Sequence, residues 1–400
     1  MKVLFVGFNA KYINPTNQLI PRMLKLFADV TLYGPGFVSD EELSSGLRAF
    51  VETRGSFDFI ATTTQLAVES NPEQTKDFYK KYSLIQWGEA SIRTFMEDAR
   101  QCMLDSKVPK VSFVLDLDPY GTRADLLDQL DQFSDYIVAW GKGFSRDISD
   151  LPYLQRETAY KHKKRPLGLW HKFFEDNAQK CINIGHFVGV HEFDFSPTAV
   201  RPYDVSVAGQ LYYSREQTLD QLRQATALRV GTTGYRSIFG LLAKLGYSPY
   251  SRFIPHTIYR ALFKQLLSKS KISMTDGAAY DAVIRKFLEI PASGALLLAR
   301  PCAGFADLGF RDGESAVFLN EADPVRQVLT LLGDPERLQA IARKGQQIVW
   351  EKHSIHARAE QVSKCLNRII EGRFVGSLWS EGEFKLIEDT RSAVTQAGAI

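Results

Sequence analysis

The chain has 400 residues, 44% of them apolar, and this length exceeds what one hydrophobic core usually organises, so we expect two domains. Its 49 lysines and arginines against 46 aspartates and glutamates argue against a protein that binds polyanions through its overall charge. The four cysteines form no CxxC pair, which argues against a disulfide framework and a zinc site and favours reduced thiols in the cytoplasm. No apolar run approaches the roughly 18 residues needed to cross a bilayer.

Short apolar runs alternate with segments of helical period in the first part of the chain. Strands are predicted at residues 3–7, 30–33, 57–61, 110–115 and 136–139. Helices are predicted between them at residues 19–27, 43–51, 91–103 and 124–133. This alternation implies a parallel sheet that is covered by helices on both faces.

The alternation stops at about residue 151 and resumes at about residue 202, and we expect the linker between two domains there. Strands are then predicted at residues 204–208, 272–275 and 295–299, with a helix at residues 216–227. Two more helices should begin at Asp323-Pro324 and Asp334-Pro335, because each pair places an N-cap acceptor before a proline suited to the first turn.

The predicted architecture is an α/β chain with two doubly wound parallel sheets. We expect an N-terminal domain at residues 1–190, a second domain at residues 191–370, and a helical tail at residues 371–400 that packs back on the first domain. Ligands of such sheets bind in the crevice at the carboxyl ends of the strands, so the site should lie between the two domains.

The segment from Lys286 to Ala295 reads KFLEIPASGA and resembles the donor-site signature of CgeB-type glycosyltransferases, which are relatives of the group 1 retaining enzymes. The residues from Tyr203 to Arg215 resemble the opening of that family's second domain, and the similarity extends to Arg358. The resemblance implies the GT-B architecture, in which two Rossmann-like domains face an interdomain cleft. It also implies transfer of a sugar from a nucleoside diphosphate sugar to an acceptor hydroxyl, with retention and with no metal or other cofactor.

The donor nucleotide is expected at Glu289, because a carboxylate at the edge of a parallel sheet can accept hydrogen bonds from both ribose hydroxyls. Asp281 lies eight positions earlier and matches the spacing of the family's paired acids, with Asp in place of the usual Glu. The charge of the leaving diphosphate needs fixed cations. Arg215 is the first candidate, and Lys286 or Arg285 is the second.

Turns that follow two predicted strands add further donor-binding candidates. Gly209 would let the backbone approach the diphosphate, and Tyr212 follows in the same turn. Asp276 and Gly277 follow the strand at residues 272–275, where the sugar or phosphates of the donor would lie. The plainer interpretations are solvated charges on helix surfaces and the ordinary chemistry of strand-to-helix turns.

The acceptor side of the cleft offers Asp116 and Asp118, which follow the strand at residues 110–115. An Asp-x-Asp pair suits a divalent cation, but the metal-independent family favours a role as general base or in orienting the acceptor. His191 could handle a proton near neutral pH. A turn or helix-capping acid and a hydrogen-bonded structural histidine are the alternative interpretations.

The partners are less sharply defined by the sequence. A UDP-sugar is the favoured donor and a GDP-sugar the alternative, while the acceptor is a glycan, lipid, protein or modified nucleic acid. Basic aromatic stretches at residues 161–174 and 252–271 suit peripheral contact with the inner face of a membrane, or else helices that bury their aromatic side chains. We expect a cytoplasmic enzyme without an obligate protein partner. A sugar-nucleotide epimerase and a non-catalytic nucleotide-sugar-binding protein are the alternative functions.

Overall fold

The fold is taken from a computed structural model. It describes residues 1–9, 15–68, 87–114, 124–141, 168–193, 200–209, 211, 213–232, 253–278 and 281–389.

The N-terminal sheet has six parallel strands in the order β2-β1-β3-β4-β5-β6. The strands are β1 (Lys2–Val6), β2 (Asp29–Tyr33), β3 (Phe59–Thr63), β4 (Lys110–Val114), β5 (Tyr136–Ala139) and β6 (Cys181–Asn183). The helices between them are α1 (Thr16–Leu24), α2 (Asp40–Ser44), α3 (Gly46–Glu52), α4 (Thr64–Ala67), α5 (Glu89–Asp105), α6 (Ala124–Phe133) and α7 (Gly168–Asp176). The five strands that the sequence predicted in this half are confirmed, and β6 was missed because it is only three residues long.

The second sheet has five parallel strands in the order β11-β10-β9-β7-β8. The strands are β7 (Tyr203–Val207), β8 (Val230–Gly231), β9 (Ser270–Thr275), β10 (Leu296–Ala299) and β11 (Val317–Phe318). The helices of this half are α8 (Tyr213–Gln224), α9 (Phe253–Ser268), α10 (Lys286–Ala292), α11 (Pro324–Leu332), α12 (Pro335–His353) and α13 (Ile355–Ile370). The three predicted strands are confirmed, whereas β8 and β11 are too short to give a periodic signal.

Both sheets share one winding order, in which the first strand lies between the second and the third. The chain therefore leaves neighbouring strands in opposite directions at β1 and β3 in one sheet and at β7 and β9 in the other. Ligands of doubly wound sheets bind at such switch points, beyond the carboxyl ends of the strands. In the second sheet these ends lead directly into Gly209 and Asp276.

The two aspartate–proline helix starts are confirmed. The side chain of Asp323 accepts a hydrogen bond from the Arg326 backbone N–H, and Asp334 accepts one from Arg337, each at 3.0 Å. Each proline occupies the first helical turn, where its missing N–H costs nothing.

Replacing Asp334 by alanine should therefore destabilise the second domain by about 1 kcal/mol, because one N–H at the start of α12 loses its acceptor. Thermal unfolding of D334A and D334N beside the wild type measures the loss. D334N keeps an acceptor oxygen at the N-cap and should stay near the wild type. Equal melting temperatures for the two variants would contradict the capping role.

The C-terminal segment differs from the predicted helical tail. Residues 374–388 form an antiparallel hairpin of β12 (Phe374–Ser380) and β13 (Glu383–Glu388). Buried Trp379 donates from Nε1 to the Asn183 carbonyl at 2.7 Å, so the hairpin is joined to β6 of the first sheet. Half-buried Phe384 and Leu386 alternate with exposed neighbours along β13, as in a strand with one covered face, and Gly382, with φ +78°, lies in the tight turn.

Helix α13 also belongs to the first domain by its packing. Its buried face, which includes Val362, Cys365 and Leu366, lies in the same apolar cluster as strands of the N-terminal sheet. The predicted boundary at residue 370 therefore lies one helix too late. Sequence periodicity identifies the apolar face of α13 but not the sheet that covers it.

The two basic aromatic stretches bury aromatic side chains where they are described. Trp170 in α7 is fully buried and donates to the Trp140 carbonyl at 3.2 Å, and Phe263 in α9 is 1% exposed. This packing supports the plainer interpretation of both stretches, although residues 161–167 and 252 lie outside the described residues. Among the described helices, none combines the length and hydropathy that a membrane span requires.

Candidate active site

Gly209 and Lys286 meet at the switch point of the second sheet. The Ala208 N–H donates to the Met274 carbonyl at 3.1 Å, which extends the pairing of β7 with β9 to the edge of the sheet. Gly209 then turns with φ +88°, and a methyl group in place of its hydrogen would overlap Cε of Lys286. The lysine at the start of α10 thus lies directly on the glycine turn, and only glycine leaves it that room.

Arg215 and Asp276 form a buried ion pair beneath this turn. Nη2 of Arg215 lies 2.6 Å from Oδ1 of Asp276, and both side chains are 0% exposed. Ser214 donates from Oγ to Oδ2 of the same carboxylate, and the Ala278 N–H donates to Oδ1 at 2.9 Å. The pair fixes the loop after β9 to the start of α8. Arg215 and Asp276 are therefore well placed to shape the site, and direct contact of either with the donor stays a prediction.

The side chain of Lys286 is partly exposed, whereas that of Arg215 is fully buried. Burial and the neighbouring guanidinium of Arg215 lower the pKa of its ammonium to about 8. Among the described residues, it makes no hydrogen bond or ion pair. Because α10 places Lys286 three positions before Glu289, the two side chains lie on the same side of the helix.

The loop between β9 and α10 holds two non-glycine residues in the left-handed conformation, Ala278 with φ 55° and Asp281 with φ 51°. Oδ2 of Asp281 accepts a hydrogen bond from the Ala303 N–H at 3.3 Å, so this acid contacts the loop after β10. A methyl group on Gly277 would lie 2.6 Å from Cβ of Cys302, which gives this glycine a packing reason. Backbone strain of this kind concentrates at functional sites.

Glu289 belongs to a ring of four charged side chains. Its Oε1 accepts hydrogen bonds from Nη1 of Arg285 and from Nη1 of Arg260, the latter at 3.2 Å. The other terminal nitrogens of the two arginines contact Glu192, with Arg260 Nη2 2.6 Å from Oε1 and Arg285 Nη2 on Oε2. Arg285 also donates from Nε to the Phe187 carbonyl at 3.1 Å. The ring therefore joins the helix that carries Glu289 to the segment that leaves the first domain.

The ring keeps its carboxylates ionised. Burial alone would raise the pKa of Glu289, whose side chain is only 4% exposed. Arg285, Arg260 and Lys286 outweigh that effect and lower the pKa to about 2. The pKa of Glu192 is lowered in the same way, with Arg285 outweighing burial. All three nitrogens of Arg285 are engaged, which favours Lys286 over Arg285 as the cation for a diphosphate.

Three of the predicted site residues lie outside the described residues: the acceptor-side candidates Asp116 and Asp118 and the donor-side candidate Tyr212. His191 is exposed and precedes Glu192 of the ring. Among the described residues, no group of three His, Cys, Asp or Glu side chains could hold a metal ion.

Glu192 and Arg260 were missed by the sequence analysis. They lie 68 positions apart, and Glu192 lies 93 positions from Arg285, so no local spacing indicates the ring. The one readable signal is the i,i+4 spacing of Arg285 and Glu289, which is typical of an ion pair on one helical turn.

Comparisons with known proteins bear on the class of this site. Residues 215–364 match the family described as glycosyl transferase-like. HepE of Anabaena, solved in complex with UDP-glucose, is 14% identical and aligns over 92% of this chain and 99% of its own, with a TM-score of 0.50. The chain is a glycosyltransferase with the GT-B fold. The stretch of the enzyme that matches the family contains Lys286 and Glu289.

A second solved structure is similar over the same extent. Sucrose-phosphate synthase from Thermosynechococcus elongatus is 10% identical to the enzyme and aligns over 93% of it and 100% of its own chain, with a TM-score of 0.49. A search of curated proteins found no match to the sequence. The family match of residues 215–364 and the fold shared with HepE support the resemblance to group 1 glycosyltransferases, while membership of the CgeB type stays a prediction.

Proposed function

We propose that the enzyme transfers a sugar from a UDP-sugar to a hydroxyl group of an acceptor, with retention of configuration and without a metal. The observation that carries the proposal is that Lys286 and Glu289 lie on the same side of α10, at the switch point of the second sheet. A nucleoside diphosphate carries an anionic diphosphate next to a ribose diol. Helix α10 offers a cation, Lys286, for the diphosphate and a carboxylate, Glu289, for the diol.

Each of these residues has one task in the proposed reaction. Glu289 accepts hydrogen bonds from the ribose hydroxyls, and its low pKa keeps it an acceptor at every physiological pH. Lys286 lies against the diphosphate and stabilises the charge that develops as the sugar departs. The Arg215–Asp276 ion pair holds the loop between β9 and α10, the helix that carries Lys286 and Glu289. The acceptor attacks from the side on which the diphosphate leaves, which is the retaining course that the family resemblance implies.

A UDP-sugar is the preferred donor because HepE, which shares the fold, was solved with UDP-glucose. A GDP-sugar is the alternative. Asp116, Asp118 and His191 stay our candidates for orienting or deprotonating the acceptor hydroxyl, whose chemical class is open between glycan, lipid, protein and nucleic acid. A cytoplasmic location likewise stays a proposal.

Thermal unfolding with UDP, GDP and dTDP tests the donor class. A ligand that binds only the folded protein raises its stability by RT ln(1 + [L]/Kd), so UDP at about ten times its Kd should raise the melting temperature by about 2 °C. NMR analysis of products from UDP-sugars and a panel of acceptors then tests the reaction. A shift with none of the nucleotides would contradict the donor site, conversion without an acceptor would indicate an epimerase, and binding without turnover would indicate a non-catalytic protein.

A further inference from the structure

The ring around Glu289 is asymmetric. Glu192 uses both carboxylate oxygens, Oε1 for Arg260 and Oε2 for Arg285, and Oε2 also accepts from the Gly189 N–H at 3.1 Å. Both ion pairs described for Glu289 end on the same oxygen, Oε1. The contacts of the ring therefore leave Oε2 as the atom of Glu289 on which a ligand hydroxyl can act.

The ring is also balanced in charge and poorly exposed. It holds two carboxylates and two guanidiniums, and their side chains are 4–15% exposed. A buried guanidinium that loses its acceptor turns to the nearest remaining one, because an unsatisfied charged donor is costly in such a place. If Glu192 were neutral, the nearest carboxylate atom that the ring does not use would be Oε2 of Glu289.

We infer that Glu192 is a positioning residue for donor binding: it holds one terminal nitrogen of each arginine and so keeps Oε2 of Glu289 open for the ribose diol. The inference rests on the proposed function and adds a residue of the interdomain segment to it. Glu192 itself does not contact the donor. Since Arg285 also bonds to the Phe187 carbonyl, two positions of that segment hold the arginine beside the ribose site.

The test is the preference of the protein for UDP over 2′-deoxy-UDP, measured by calorimetry. A hydrogen bond from the 2′-hydroxyl to a carboxylate should give the wild type a preference of about tenfold or more. The variant Glu192→Gln has one acceptor oxygen where the wild type has two, so one arginine should take Oε2 of Glu289. The preference should then fall below about threefold, since the 2′-hydroxyl loses its acceptor.

A charge-balanced double variant separates positioning from general damage. In Glu192→Gln/Arg260→Met, the glutamine oxygen accepts the hydrogen bond of Arg285, and the second guanidinium that would otherwise bind Oε2 of Glu289 is gone. The preference for UDP over 2′-deoxy-UDP should therefore return to that of the wild type. Glu360→Gln is the matched control, because it removes one carboxylate of an exposed 2.6 Å ion pair with Lys364 on α13. It should leave both affinities unchanged.

The outcomes are distinct. Wild-type preference in Glu192→Gln would overturn the inference, and so would a double variant that folds but does not recover. Circular dichroism reports folding, and the balanced double variant carries the test where the single variant unfolds. A wild type that binds UDP and 2′-deoxy-UDP equally would instead refute the ribose contact of Glu289, and a wild type that binds neither would refute the proposed donor class.

Discussion

The variant Glu289→Gln should bind UDP about 100-fold more weakly than the wild type. Glutamine keeps the shape of the side chain, but its neutral amide is a weaker acceptor and presents a donor group to the ribose. Hydrogen bonds to a charged group contribute about 1.5–3 kcal/mol each, and a loss of about 2.7 kcal/mol corresponds to two orders of magnitude in Kd. Isothermal titration with UDP measures the change.

The same variant leaves Arg285 and Arg260 with Glu192 as their one carboxylate, so its folding must be measured beside its binding. Breaking a buried ion pair from one side costs about 3–5 kcal/mol, and the melting temperature should fall accordingly. Titration is therefore done well below the melting temperature of the variant. Glu360→Gln, on the exposed face of α13, is the control for loss of a carboxylate elsewhere. Unchanged UDP affinity in folded Glu289→Gln would show that the ribose assignment is wrong.

The pH dependence supplies an independent check on Glu289. Because its folded pKa of about 2 lies below the usual value of 4.5, the ion pairs it makes add stability that is present above pH 4.5 and lost as the pH falls towards 2. Titration of this carboxyl therefore cannot change UDP binding between pH 5 and 9. A change of affinity in that range must come from another group.

Much of the fold follows from local sequence signals. The eight predicted strands are found within two residues of their expected places, because buried parallel strands are short apolar runs bounded by turns. The Asp-Pro helix starts are equally local, since the cap and the first turn are adjacent in the chain. The strands that were missed, β6, β8 and β11, have two or three residues each and gain their pairing from neighbours far away in sequence.

Local sequence signals show where a helix begins and ends better than they show which domain it packs against. The stripe on α13 is readable, but only the tertiary structure shows that it covers the first sheet and so crosses back from the second domain. The hairpin after it was predicted as helix. Trp379 joins it to Asn183, nearly two hundred positions earlier, and such a contact has no trace in local periodicity.

The same distinction applies to the residues of the candidate site. Gly209 and Asp276 follow the carboxyl ends of the neighbouring strands β7 and β9, so the topology alone brings these two together. Lys286 and Glu289 lie on α10, the next helix after β9. Which charges neutralise each other could not be predicted. Because Arg215 forms a buried ion pair with Asp276, our proposal assigns the diphosphate to Lys286.

The second large effect is expected from Lys286, and it should appear as a pH dependence. With a folded pKa of about 8, the ammonium is mostly protonated at pH 7 and mostly neutral at pH 9. A diphosphate binds the protonated form of the lysine and is itself mostly ionised at both pH values, since its last pKa is about 6. The Kd of UDP should therefore rise about tenfold between pH 7 and pH 9.

Two substitutions distinguish the effect of a positive charge at position 286 from the effect of its titration. Lys286→Arg keeps a permanent cation, so UDP binding should become nearly independent of pH in this range. Lys286→Met removes the cation, and binding at pH 7 should weaken by about 30-fold with no remaining pH dependence, as expected for a lost contact to a charged group. If Lys286→Met retained the wild-type rise in Kd, the titrating group would lie elsewhere and the assignment would be wrong.

The same lysine should lower stability in exchange for its role. Because its folded pKa of about 8 lies below the usual value of 10.5, folding disfavours the protonated form. That cost is fully present below pH 8 and disappears as the pH rises through 10.5. Lys286→Met should therefore melt at a higher temperature than the wild type at pH 7, while binding UDP less well. A residue that weakens the fold and strengthens donor binding is hard to explain as a packing residue, so the two measurements together distinguish a functional cation from a buried lysine that the fold merely tolerates.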